Sequence, residues 1–237
     1  MPLPIGAEPT LPPTSLSSSI NGTDTEALER FKITEMMHGF PAHRDAYEWT
    51  KFRALFAEQD AYVFTTWGGA VDVDEFIKIS KLGYTRGHRV NGTTVDLAKS
   101  GDRALGKLKT TITQRLSMPS TTGEPCEVDI EAEFRACFFL QKYKSEWKTH
   151  FYKGFYEKDK PIPVNPAKVP HFDEAKLASF PEGYKYLAYG QSDLYDIMTD
   201  LPQSHGEAHD RMYEHFIEWL EGGDLETMKV KLGAKKP

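Results

Sequence analysis

Cysteine is scarce: Cys126 and Cys137 are the only two in a chain of 237 residues. Two thiols cannot make a disulfide framework, and their spacing is no C-x-x-C motif, so a reduced, cytoplasmic setting is expected. No apolar run reaches the ~20 residues that a bilayer-crossing helix needs, so no membrane partner is expected. Residues 1–22 lack both a basic segment and a continuous apolar one, and do not read as a secretory signal. The sequons at Asn21 and Asn91 are then read as chance. Formal net charge is -6, and the only basic cluster is the tail Lys229, Lys231, Lys235 and Lys236. A stripe able to displace counterions from phosphates is missing, so no nucleic-acid partner is expected. Gly68-Gly69 is followed by neither G-x-G-x-x-G nor a Walker lysine, so no nucleotide cofactor is expected either.

What is present suits one packed domain. Hydrophobic residues make up 39% and aromatics 12%, enough for a full core at this length. Residues 1–22, rich in Pro, Ser and Thr, read as an arm that is disordered or drapes over a partner subunit. Thr23 and Glu26 have the spacing of a capping box. Leu28, Phe31, Ile33, Met36 and Met37 follow at helical spacing, and Gly39-Phe40-Pro41 is expected to break that helix. Tyr47, Trp49, Phe52, Leu55 and Phe56 suggest a second helix. Ala61 to Trp67 reads as a short strand. Val73, Phe76, Ile77 and Leu82 suggest a third helix closed by Gly83. The period then switches to two, giving strands over 88–97, 103–118, 127–143 and 147–156. Pro161, Pro163, Pro166 and Pro170 mark an extended crossover. Phe180 to Tyr195 reads as irregular, and His205 to Leu220 as a final helix. The expected fold is α+β: a curved antiparallel sheet forming a cone, with N-terminal helices over its concave face. The cone domain is read as 23–158, and 159–237 as an irregular C-terminal extension packed on it and ending in a helix.

The segment Asp45-Ala46-Tyr47-Glu48-Trp49-Thr50-Lys51-Phe52-Arg53-Ala54-Leu55-Phe56-Ala57 ends in an R-x-L-F-A phrase. Asp72-Val73-Asp74-Glu75-Phe76 opens a short helix, and His88-Arg89-Val90-Asn91-Gly92 with Gly101-Asp102-Arg103-Ala104 frames a long hairpin. Over roughly residues 25–156 this resembles the SnoaL-like and scytalone-dehydratase-like members of the nuclear-transport-factor-two-like superfamily. The resemblance implies a half-open pocket and, by position, a catalytic aspartate at Asp45 and a catalytic histidine at His88. The second histidine of the dehydratases falls at Gln114, their two tyrosines at Arg44 and Phe64, and their serine and asparagine near Cys137 and Phe139. It therefore implies an acid/base pair more than it implies dehydration.

Residue chemistry alone allows the same pair. A histidine with a pKa near 6.5 can take and return a proton, and a carboxylate beside it fixes its tautomer. The other readings are a helix cap for Asp45 after Pro41 and a strand-end position for His88. Alternation puts Gly106, Leu108, Thr110, Ile112 and Gln114 on one face, expected inward. The acids Glu127, Asp129, Glu131 and Glu133 with Arg135 share a face that is either solvated or, for Glu133 and Arg135, part of the pocket. In the second case an epoxide-hydrolase-type reaction stays open, since limonene-epoxide hydrolase on this fold uses an Asp-Arg-Asp set. Tyr47, Trp49, Tyr62, Phe64 and Trp67 read as an aromatic wall, with Tyr62 showing its hydroxyl to a ligand, or as plain core. His205 and His209, four apart, lack a third ligand, so no metal is expected. The expectation is a cofactor-independent lyase or isomerase acting on a small phenolic or polyketide-derived carbonyl compound. His88 is its base and acid, Asp45 its orienting partner, and Gln114, Tyr62 and Arg44 hold substrate oxygens. Its rival is a non-catalytic binder of a small ligand or a protein. A homodimer or homotrimer is expected, because an exposed outer sheet face tends to bury itself in a twin.

Overall fold

A computed structural model describes residues 4–82 and 86–234. Gly83, Lys235 and Lys236 lie outside these. One curved seven-stranded sheet organises the chain. Its strands are β1 (Ser17–Ser18), β2 (Tyr62–Thr65), β3 (Gly69–Asp72), β4 (Arg86–Ala98), β5 (Arg103–Pro119), β6 (Pro125–Tyr143) and β7 (Glu146–Pro163). They lie in the order β1-β4-β5-β6-β7-β2-β3. Every pairing is antiparallel except that of β2 with β7. The α+β cone expected from the sequence is the observed fold.

Helix α1 (Asp24–Asp45) lies across the concave face. It starts where the capping box places it: Glu26 N–H donates to Thr23 Oγ1, and Thr23 N–H donates to the Glu26 carboxylate. It does not stop at Gly39-Phe40-Pro41, which corrects the expected break. Phe40 is buried and stacks on Tyr152 with ring centroids 4.2 Å apart, and packing of this kind offsets the hydrogen bond that Pro41 removes. The helix lies close to the sheet because β5 carries Gly106, where a Cβ would stand 2.2 Å from Met37 Sδ. Short helices α2 (Trp49–Ala54) and α3 (Val73–Ser80) complete this layer. Buried Phe40, Phe52, Phe76, Phe134, Phe138 and Tyr152 form the inner core.

The segment after the cone is more ordered than its sequence suggests. β7 runs on through Pro161 to Pro163, seven residues beyond the expected end. β7 pairs with β2 at Phe151 and Tyr152 and donates from Tyr156 N–H to Pro202 O; beyond that point it is a sheet edge, where a missing N–H costs little. The 180–195 stretch expected to be irregular contains α5 (Lys185–Gln191), preceded by α4 (Glu174–Leu177) and a 3₁₀ turn at Glu182–Tyr184. Helices α6 (Glu207–Leu220) and α7 (Leu225–Lys231) cover part of the outer sheet face. There Met212, Phe216 and Trp219 pack on Leu105, Cys137, Phe139, Phe151 and Phe155. Within the expected arm, Ser17 and Ser18 form β1 on the edge of β4, and Lys99 N–H donates to Leu16 O at 2.8 Å.

Candidate functional site

The last turn of α1 brings Asp45 to the head of β4. Its carboxylate accepts twice from one residue: His88 backbone N–H donates to Oδ2 at 2.8 Å, and His88 Nδ1 lies 2.7 Å from Oδ1. An ionised carboxylate only accepts, so the proton between them sits on Nδ1 and the lone pair is left on Nε2. The His88 side chain is 2% exposed. His88 stands directly across from Ile112 on β5, so the imidazole shares the inner face with Ile112.

Beside this pair lies a cavity of about 70 Å³. Its wall includes Arg44, Trp67, Phe76, Ile112, Gln114, Tyr152 and Tyr156, with Leu187, Gln191 and Tyr195 added from α5 and the turn beyond it. His88 adjoins the cavity through Ile112, its partner across β4 and β5 and a residue of the wall. Trp67 stacks on Phe76 at 5.5 Å and meets Tyr195 at 5.6 Å. The Arg44 guanidinium lies 4.8 Å over the Phe76 ring. A polar chain crosses the floor: Thr66 Oγ1 donates to Gln191 Oε1 at 2.5 Å, and Gln191 Nε2 donates to Gln114 Oε1 at 3.0 Å. Burial raises the Tyr152 phenol well above its usual range and pushes that of Tyr156 up to about 12. Both therefore stay protonated.

Of the residues expected at the site, Arg44, Gln114 and Trp67 line the cavity, and Asp45 and His88 pair next to it. The others do neither. Tyr62 and Phe64 alternate with Val63 and Thr65 on β2, and it is Thr65 that reaches the cavity. Tyr62 and Phe64 belong to the outer cluster under α6 and α7. Cys137 and Phe139 share that outer face, and burial pushes the Cys137 thiol up to about 12. Tyr47 sits at the turn after α1 with φ 58° and is 57% exposed. Glu133 and Arg135 also face outward, where Glu133 meets Lys158 and Arg135 Nε donates to Glu157 at 2.6 Å. This removes the ion pair on which an epoxide-hydrolase reading rested. His205 precedes α6, while His209 is buried against Phe155 and Tyr213, so the two do not share a helix face. Among the described residues, no three His, Cys, Asp or Glu side chains gather as a metal site would need.

Sequence reading missed Tyr152 and Tyr156 on β7 and Gln191 and Tyr195 beyond it. The two tyrosines stand opposite inward Phe138 and Phe134, a parity legible once the β6–β7 register is known. Gln191 and Tyr195 carry no such signal, because a long connection brings them back over the cone.

The chain is 43% identical over 220 residues to pea pathogenicity protein 2 of Fusarium vanettenii, covering 87% of this chain and 92% of that protein. The chain belongs to the pea pathogenicity protein 2 family. A PEP2-like protein of the same fungus is 40% identical over 237 residues, 94% of this chain and 97% of that one. No family model matches the chain. Among solved structures, a hexachlorocyclohexane dehydrochlorinase (LinA type 2) superposes with a TM-score of 0.50 at 14% identity, over 59% of this chain and 93% of that one. The likeness shows a shared fold, the curved sheet with helices on its concave face.

Proposed function

We propose that this protein is a cofactor-independent lyase or isomerase that moves a proton next to a carbonyl group. The observation that carries this reading is the Asp45–His88 pair, 2.7 Å apart on the inner sheet face beside the cavity. With Nδ1–H held by Asp45, Nε2 is the basic nitrogen. It takes the proton from the substrate carbon, and Asp45 stabilises the imidazolium that results. The electron pair moves onto the carbonyl oxygen, where hydrogen-bond donors from Gln114 and the cavity wall stabilise the enolate. His88 then returns the proton to another carbon or to a leaving group. The same fold serves a dehydrochlorinase, which is consistent with this chemistry. A cavity of about 70 Å³ is smaller than the ~150 Å³ that holds a benzene ring. As shaped it takes only the small polar end of a phenolic or polyketide-derived compound, with the ring left outside.

The test is deuterium exchange at the carbon beside the carbonyl, followed by NMR across a panel of small carbonyl compounds. Catalysed exchange should fall roughly 10²–10⁴-fold in His88→Ala. Exchange that persists unchanged in both His88→Ala and Asp45→Asn would overturn the reading. One observation favours a second reading, a non-catalytic binder. Asp45 also accepts the His88 backbone N–H, so the pair ties α1 to β4 as a structural clamp. In that case both variants lower the melting temperature and no compound in the panel exchanges.

A further inference from the structure

We propose that the cavity is a carboxylate-binding subsite and that Gln191 is its positioning residue, which rests on the reading above in taking the cavity for the substrate site. Arg44 is the one charged side chain in the wall among the described residues. A guanidinium in a pocket recognises a carboxylate better than any neutral group. Thr65 and Ser80 line the same cavity at 8% and 4% exposure. Their hydroxyl oxygens have no hydrogen-bond partner among the described residues. A buried hydroxyl left so costs about 1–3 kcal/mol, and a ligand oxygen accepting from it removes that cost.

The direction of the floor hydrogen bonds points the same way. Gln191 donates to Gln114 Oε1 and spends its own oxygen on Thr66. The acceptor end of Gln114, a residue of the cavity wall, is thereby occupied, which leaves its amide nitrogen as the end that can donate to a ligand. Tyr152, kept protonated, can donate as well, while the Tyr156 hydroxyl is engaged by Thr66. The wall thus offers a cation and several donors and no carboxylate, which is what a buried carboxylate needs to offset its lost hydration. A group of three heavy atoms also suits about 70 Å³. Gln191 comes from α5, so the C-terminal segment sets the charge preference of a cone that otherwise ends at β7.

The test compares propionate with its neutral counterpart propionamide, titrated into the full-length protein and followed by NMR. The reporters are the side-chain amides of Gln114 and Gln191 and the Trp67 indole. Propionate should shift all three, and propionamide at equal concentration should not. Arg44→Gln should weaken propionate at least tenfold. Gln191→Glu keeps the shape but offers only acceptors, so Gln114 must turn its hydrogens away from the cavity. This variant should lose selectivity for acid over amide, and Gln191→Met, which removes the floor donor without adding a charge, should lose it too, which a merely structural role would not do. Propionamide binding as tightly as propionate would overturn the proposal, as would shifts at none of the three reporters. Propionate binding is read without turnover and should survive His88→Ala, so it can stand if the proton-transfer reading falls, and fall if that reading stands.

Discussion

The two faces of the sheet are made by the same strands yet solve different problems. The inner face is largely aromatic, and a polar chain of Thr66, Gln191 and Gln114 crosses it beside the Asp45–His88 pair. The outer face is divided along its length. Near the β5–β6 hairpin's base it is apolar, and α6 closes it with Phe216 and Trp219. Farther along it is a ladder of charges, in which Arg115 holds Asp129 with two bonds of 2.8 Å and Arg89 and Lys160 share Glu131. Strand alternation delivers both faces at once, but only the inner face needs its polar groups in particular places. The outer face needs only a cover or a balance of charge. Its apolar half has a cover from within the chain.

The largest effect that separates the faces should come from His88→Ala. It should cost roughly 10²–10⁴-fold in catalysed proton exchange, while circular dichroism stays that of the folded protein. Next comes the outer cover. Phe216→Ala removes a ring that is fully buried between α6 and the sheet and should lower unfolding free energy by about 3–5 kcal/mol, measured by urea denaturation, with proton exchange unaffected below the transition.

A third variant acts between the faces, at Asp159. Its Oδ2 accepts from Leu187 N–H at 2.7 Å, and burial pushes its carboxyl from 3.8 up to about 6. A carboxyl with a raised folded-state pKa favours folding most when protonated. That contribution is complete below 3.8 and is lost as pH rises through about 6. Asp159→Asn, which keeps the acceptor without the charge, should therefore raise the melting temperature at pH 7 and not at pH 3.5. The gain is bounded at about 3 kcal/mol. Equal melting temperatures at pH 7 would show that the ionised carboxylate costs nothing there.

The smallest effect is expected on the charge ladder. Glu133 stands between Lys109 and Lys158 at 3.4 and 3.2 Å. Glu133→Gln should change stability by no more than about 1 kcal/mol, and by less in high salt. A larger loss would mean that the ladder, and not the cover, holds the outer face.

Much of the cone was legible because period and capping are local. The Thr23–Glu26 cap, the switch to alternation at His88 and the inward row ending in Gln114 all follow from spacing. The Asp45–His88 pair was legible only by resemblance, since 43 residues separate the two along the chain. Resemblance pointed to Phe64, Cys137 and Phe139, and aromatic character to Tyr62, whereas strand parity with Glu133 and Arg135 puts Cys137 and Phe139 on the outer face. The passage of α1 through Pro41 was not legible, because what holds it is Tyr152, more than a hundred residues away. For the same reason nothing local announces that Gln191 completes the cavity.

The far end of β7 has a consequence for how chains meet one another. Lys158, Lys160, Pro161 and Pro163 follow one another along the edge that β2 leaves uncovered. A strand approaching from another molecule would find two missing N–H donors and, at the exposed lysines, like charges if it were a copy of this edge. In a crowded solution, or on a ribosome still releasing the C-terminal helices, those four residues hinder the sheet from growing by an eighth strand borrowed from a neighbour.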